Sequence, residues 1–207
     1  MQIFLASSSV SRKNILSSLN LSFKVIPSNL NEEEIKREIK NVGELVETLA
    51  LKKVEVVEEI IKKKKIKNYL IIGGDSLASI KDKTGQWIYL DKPKSKSDAK
   101  RMLFMSKGRF HKFYSGLVII SSTGRKKIFL TQSKVYFKDF SEKTLERVLD
   151  TGVWEGRAGG YDIENTKNGL IERYEGSYTN ILGLPVEKLK EVLRDFGIKI
   201  NSTELPH

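Results

Sequence analysis

Four charged residues stand on separate segments where simple folding would not put them. Arg12, with Lys13 beside it, falls in the first turn of a helix that opens within LASSSVSRKNIL, Leu5 to Leu16. There the positive end of the helix dipole and unpaired backbone N–H groups disfavour cations. A phosphate would satisfy those amides, the hydroxyls of Ser7 and Ser9, and Arg12 together. The plainer alternative is that Ser9 or Ser11 caps the helix while Arg12 points into water, and on this segment alone it is the simpler one. Lys53 lies seven residues after Val46, four after Leu49 and four before Val57, on an apolar stripe. Burying an ammonium costs several kcal/mol unless a counter-charge meets it. Either the side chain snorkels past the core edge, which the position taken alone favours, or an anion waits at that face. Asp75 follows a buried run and two glycines, which let backbone or ligand come close. A carboxylate at a strand's end is a frequent functional position in open α/β sheets; an Asx turn is the other reading. Lys92, in Asp91-Lys92-Pro93, sits on another strand-end turn. Together, three cations on separate elements with Asp75 and Glu32 as carboxylates are what metal-assisted chemistry on a polyphosphate needs.

The chain that must position them has 207 residues, 39% of them apolar and 9% aromatic, enough for a core of ordinary size in one domain or two intimate lobes. No apolar run approaches membrane-spanning length, and the N-terminus lacks the features of a secretory signal. A cytoplasmic protein with no membrane partner is expected. With no cysteine and only His111 and His207 as histidines, a thiolate or zinc cluster is excluded. Any metal must be held by oxygen, which points to Mg2+ or Mn2+. The net charge of +11 calls for an anionic partner: nucleic acid, a membrane surface or a phosphorylated small molecule.

QIFLAS reads as a strand, and KNILSSL begins a helix with Ile15, Leu16 and Leu19 at helical spacing. From about Val42 to Ile61 the apolar positions describe one face of a long helix. Its end in Lys62 to Lys65 reads as a solvated last turn, where cations suit the dipole. YLII forms a short buried strand expected to end at Gly73-Gly74-Asp75, and a turn with Asp82 and Gly85 leads to WIYL. Ser95 to Asp98 has capping-box spacing and opens a short helix through Met105. KFYSGLVIISS and KKIFLTQSKVYF pair as a hairpin across STGR. A helix capped by Ser141, a strand around GLIERYEG and a helix from Pro185 to Phe196 complete the chain. Interleaved strands and helices predict an α/β fold, and the hairpin makes its sheet mixed.

Read in order, these segments resemble the Maf family, nucleoside triphosphate pyrophosphatases once named for an effect on septum formation. LASSSVSRKNIL is similar to the family's L-A-S-x-S-P-R-R opening. Leu30-Asn31-Glu32 falls where the family carries an acidic pair, and Ala50 to Lys53 matches A-x-x-K. Gly73-Gly74-Asp75-Ser76 matches G-A-D-T, and Asp91-Lys92-Pro93 matches G-K-P. GRFHKFYSG, AGGYDIE and IERYEGSYTNILGLP resemble three further family segments. Each alone is weak; eight in order at similar spacing are strong.

The resemblance implies residues 1–207 as one domain, an elongated mixed sheet with flanking helices whose two lobes do not fold independently. They would enclose a cleft, as in the inosine triphosphate pyrophosphatases, often in a homodimer. It also implies that a nucleoside triphosphate and water become a monophosphate and pyrophosphate with a divalent cation, in house-cleaning of the nucleotide pool. By the same likeness Asp75, Lys53 and Lys92 are catalytic, and Ser7, Ser9, Arg12 and Glu32 meet the substrate. The family treats the aspartate matching Asp75 as proton acceptor; with Glu32 it equally suits the metal. Ser11, Ser76 and Glu164 fall where the family selects its base.

This chain departs from the pattern chiefly at those positions. Val10 and Ser11 replace Pro and Arg, Lys107 interrupts S-G-R, Asp91 replaces Gly, and Ser76 and Glu164 replace Thr and Gln. The pyrimidine-preferring branch carries Arg, Thr and Gln at positions 11, 76 and 164; the branch preferring 7-methyl-GTP carries Trp, Gln and Glu. This chain matches neither. An ionised Glu164 can only accept hydrogen bonds, which leans toward the paired donors of a guanine edge. Two other readings use the charge or the family's history: a nucleic-acid-binding module, or a cell-division regulator acting through a partner. The first is disfavoured because the lysines are spread along the chain and the aromatics sit in strand patterns.

Overall fold

The computed structural model describes residues 1–164 and 169–200, and His207 lies outside them. Among the described residues seven strands form one mixed sheet in the order β2-β1-β3-β5-β6-β7, with β4 paired to β3. The strands are β1 Gln2–Ala6, β2 Phe23–Val25, β3 Tyr69–Lys81, β4 Trp87–Leu90, β5 Phe110–Ser121, β6 Lys126–Phe137 and β7 Ile171–Glu175. β1 runs parallel to β2 and β3, whereas β3–β4 and β6–β7 are antiparallel. The expected α/β class and mixed sheet are what the chain adopts. It divides into two compact units, Met1–Asp75 with Ser115–Thr131 and Leu182–His207, and Ser76–Tyr114 with Gln132–Ile181.

In the first unit strand alternation sorts the core into two layers. Phe4, Ala6, Tyr69, Ile71, Val118 and Ile120 point to one face, where helix α3, Val42–Lys63, lays down Ala50, Val54, Val57 and Ile61. Ile3, Leu5, Leu70, Ile72, Leu117 and Ile119 point to the other, against Ile15 and Leu16 of α1, Val10–Ser18, and Leu189, Val192 and Leu193 of α7, Val186–Asp195. Two glycines let α3 lie directly on the strands. A Cβ built on Gly73 would stand 2.2 Å from Val54 Cγ2, and one on Gly116 only 2.5 Å from the Val46 carbonyl oxygen. Backbone cannot give way as a side-chain tip can. Gly116→Ala is therefore expected to lower stability by about 1–3 kcal/mol, the range for forced overpacking, in urea unfolding; an unchanged midpoint would mean that α3 does not rest on β5 there.

In the second unit α4, Lys96–Ser106, and α5, Glu142–Asp150, start at Ser95 and Ser141, whose hydroxyls accept from Asp98 N and Thr144 N at 3.1 and 3.2 Å. The reciprocal bond of the capping box goes one residue further back, from the Lys94 N–H to Asp98 Oδ2 at 3.1 Å. His111 is fully buried against Phe137 and Tyr161, with Nε2 2.9 Å from the Tyr161 hydroxyl. Burial pushes its pKa down to about 3, so it is a neutral core residue.

Three sequence expectations change. β3 does not end at Gly73-Gly74-Asp75 but runs on to Lys81. Leu77, Ala78 and Ile80 stay buried beyond the glycines, and β4 pairs with that half from Ala78↔Leu90 to Lys81↔Trp87. Asp75 is thus inside a strand, and the Asx turn belongs to Asp82, whose Oδ1 accepts from Thr84 N at 2.8 Å and Gln86 N at 3.0 Å. No residue pattern announced strand β2 or the helices α2, Glu33–Glu38, and α6, Tyr178–Ile181. None is longer than six residues, and β2 and α2 bury no side chain fully, so neither leaves an apolar period to read.

Candidate active site

The first unit gathers Ser7, Arg12, Glu32, Lys53 and Asp75 at one place. α1 delivers Arg12. Ser9 is its N-cap, accepting from the Arg12 N–H at 3.3 Å, while the Ser9 N–H donates to Ser7 Oγ at 3.2 Å. The capping expectation is right for Ser9, but Arg12 does not point into water. Its side chain is buried, with Nε donating to the Gly183 carbonyl at 2.8 Å and Nη1 to Ser7 Oγ at 3.3 Å. A Cβ on Gly74 would lie 3.3 Å from Arg12 Nε, so the glycine pair admits α3 on one side and Arg12 on the other. Burial pulls the guanidinium below its ordinary pKa, against the charges of Asp75 and Glu32.

Lys53 corrects the snorkelling expectation. Its side chain is 13% exposed and turned inward, with Nζ donating to Asp75 Oδ1 and paired with Glu32 Oε1 at 2.7 Å. Glu32 uses its other oxygen for Lys36 at 2.8 Å. The counter-charge on the apolar stripe is therefore the protein's own pair of carboxylates. With Arg12, Lys36 and Lys53 against Glu32 and Asp75, the cluster carries one net positive charge, three cations less two anions.

The two carboxylates are tuned apart. Burial lifts Asp75 above the usual carboxylate range, with Glu32 adding to it and Lys53 and Arg12 opposing. Burial also acts to raise Glu32, but hydrogen bonds and charge from Lys36 and Lys53 outweigh it and hold Glu32 below its ordinary value. A separation of this kind marks groups poised for different proton roles.

Glu32 and Asp75 reach the same ammonium, so two hard oxygen donors converge on one point. Among the described residues no cluster of three or more metal-ligating side chains exists. Mg2+ or Mn2+ commonly takes one or two carboxylates and completes its shell with water and substrate phosphate, and this pair fits that demand.

The other expected residues are placed as follows. Ser11 is half-buried in the first turn of α1, and Ser76 follows Asp75 on β3 as the first residue of the second unit. Lys92 is exposed in the turn after β4, its N–H donating to Asp91 Oδ1 at 2.7 Å. Glu164 is exposed, its N–H donating to Asp162 Oδ1 at 3.0 Å. Lys92 and Glu164 belong to the second unit. Two participants escaped the sequence reading. Lys36 stands four residues after Glu32, a helical Glu-to-Lys spacing that could have pointed to it. Gly183 acts through its carbonyl alone, and a carbonyl leaves no signal in residue type.

The family model described as Maf-like protein matches residues 2–196. A dTTP/UTP pyrophosphatase of Dictyoglomus turgidum is 34% identical over 200 residues, covering 96% of this chain and 98% of that protein. One of Desulforamulus reducens is 34% identical over 199 residues, with the same two coverages. Among solved structures, a nucleoside-triphosphatase / dITP/XTP pyrophosphatase from Mycobacterium abscessus covers 95% of this chain and 97% of its own at 16% identity and TM-score 0.42. The Ham1 protein of Staphylococcus aureus covers 95% and 100% at 13% identity and TM-score 0.47.

Proposed function

The chain belongs to the Maf-like family, and from that premise and the site geometry we propose how it works as a nucleoside triphosphate pyrophosphatase. The observation that carries the reading is the convergence of Glu32 and Asp75 on Lys53, beside a buried Arg12. Water attacks the α-phosphorus, forming a P–O bond as the bond from that phosphorus to the bridging oxygen of the β-phosphate breaks. Pyrophosphate leaves, and the monophosphate keeps the water oxygen. The proton goes to Asp75, whose burial-raised pKa suits a base, and from there to solvent. Arg12 and Lys53 offset charge that grows on the phosphates, Arg12 without reorganising because the Gly183 carbonyl and Ser7 already fix it. Glu32 and Asp75 would hold Mg2+ or Mn2+, which when bound neutralises phosphate charge and acidifies water. For Lys92 on the leaving pyrophosphate, and for Ser11, Ser76 and Glu164 around the base, the support is the family motif.

For the base, we propose dTTP and UTP. Glu164 as a pure acceptor leans toward guanine, but relatives named dTTP/UTP pyrophosphatases match almost the whole chain, and that likeness outweighs one exposed carboxylate. A cytoplasmic location fits such a substrate. Among the described residues no helix is long and apolar enough to cross a membrane.

The test is product analysis over a panel of triphosphates, with Mg2+, Mn2+ or chelator. Pyrophosphate is expected from UTP and dTTP, at least about tenfold faster than from GTP or 7-methyl-GTP, the scale on which a pocket separates near neighbours, and only with the divalent ion. Orthophosphate as the sole product would overturn the reaction; a guanine preference would overturn the substrate and return Glu164 to the base pocket.

A further inference from the structure

The open face of the second unit's sheet carries rings and cations that the catalytic set does not use. Alternate residues of paired strands share one side of a sheet, and rings from three strands meet there. Trp87 on β4 lies 6.3 Å from Phe110 on β5, and Phe110 lies 5.3 Å from Tyr136 on β6. Phe110 is 37% exposed, and the other two are half-buried.

Cations stand over each ring. Lys112 lies 4.5 Å from the centre of Trp87, Lys81 5.7 Å from the same ring, Lys134 5.7 Å from Phe110, and the Arg173 guanidinium 3.5 Å from Tyr136. Glu175 answers Arg173 at 2.5 Å and Lys134 at 3.4 Å. Among the described residues, Lys81 and Lys112 meet a ring but no carboxylate. Four cations against one acid leave this row three charges positive. Beside it opens a pocket of about 280 Å³, lined by Lys81, Trp87, Gly108, Arg109 and Phe110.

Rings on an open sheet, and a guanidinium plane lying on one of them, give successive bases a surface to stack on, and the lysines around them follow the phosphates. A second copy of the chain fits poorly. A twofold contact would set this positive row against itself, and lysine is depleted from the centres of protein interfaces. Read linearly, the residues are scattered from Lys81 to Arg173; strand pairing assembles them.

We infer that this face binds single-stranded nucleic acid, with bases on Trp87, Phe110 and the Arg173 guanidinium that covers Tyr136, and phosphates on Lys81, Lys112 and Lys134. The inference goes beyond the pyrophosphatase reading and does not rest on it. The experiment is fluorescence anisotropy of labelled oligo-dT and oligo-U about a dozen nucleotides long, within the span of single-strand sites, with excess α,β-imido-UTP filling the nucleotide site. Affinity is expected to fall with salt at a log–log slope of about −2, from three lysines at roughly 0.7 each. A duplex of the same length should bind at least about tenfold more weakly, having no free base faces. Lys112→Glu should lower single-strand affinity at least about tenfold by reversing one phosphate contact, with turnover and melting temperature unchanged. Phe110→Ala should lose about fivefold or more, the low end of base stacking, at the same salt slope. No binding at low salt, equal binding of duplex, or an unaffected Lys112→Glu would each overturn it. So would a dimer that Lys112→Glu dissolves, which would give the face to a second copy.

Discussion

Asp75→Asn is expected to lose at least about a hundredfold in kcat, the scale for removing an acid–base group or metal ligand, while the melting temperature at neutral pH holds or rises. The two halves of that expectation come from the same feature. Asp75 is 7% exposed, and burial lifts its folded pKa above the unfolded value. A carboxyl raised in this way contributes stability that is fully present below its unfolded pKa and is lost as pH climbs through the folded one. Beyond that point the burial of the carboxylate opposes folding. The amide is isosteric and uncharged, so it relieves that cost, and Lys53 keeps Glu32 as its partner at 2.7 Å. Pyrophosphate release and a thermal melt on the same sample check both halves. A variant that keeps more than about a tenth of the rate would take Asp75 out of the centre, and one that melts much lower would make its role architectural.

What could be read from the residues alone divides along physical lines. Periodicity exposed α3, because Leu45, Leu49 and Val57 repeat at helical spacing over a long element, and it flagged Lys53 as an intruder on that stripe. The same pattern could not say what meets Lys53, since Glu32 and Asp75 arrive from distant segments through strand order. The glycine pair before Asp75 was legible as a place of close approach. That α3 enters over Gly73 and Arg12 over Gly74 required the packing. Reading the pair as a strand end was an error of propensity: glycine weakens a strand, but the hairpin with β4 and the buried Leu77, Ala78 and Ile80 override it. The fate of Arg12 was hidden for another reason. Its partner is the Gly183 carbonyl, far along the chain, and every residue has a carbonyl.

Lys53→Met carries the larger lesson about the site. Its expected effect is a fall of about a hundredfold in kcat, the scale for losing one preorganised group that meets developing charge, together with an upward move of the acid limb of the pH–rate profile. Lys53 is the strongest of the influences holding Asp75 down. Without it, burial and the Glu32 charge act against Arg12 alone, so Asp75 keeps its proton to higher pH and is a competent base only above that point. Stability should fall at neutral pH, contrary to what a lysine facing only a ligand would give. Glu32 is held below its ordinary pKa against burial by Lys36 and Lys53. Such a carboxylate contributes stability that is present above its unfolded pKa and is lost as pH falls through the folded one. Removing Lys53 takes away part of that contribution and leaves Glu32 and Asp75 as like charges with one cation fewer. The deficit should therefore shrink toward acid pH as both carboxylates take up protons. Melting curves across pH, run beside kcat/KM profiles for wild type and variant, separate the outcomes. A slower enzyme with an unmoved acid limb would take the proton away from Asp75 and leave it to hold the metal; an unchanged rate would return Lys53 to the role of a side chain reaching past the core.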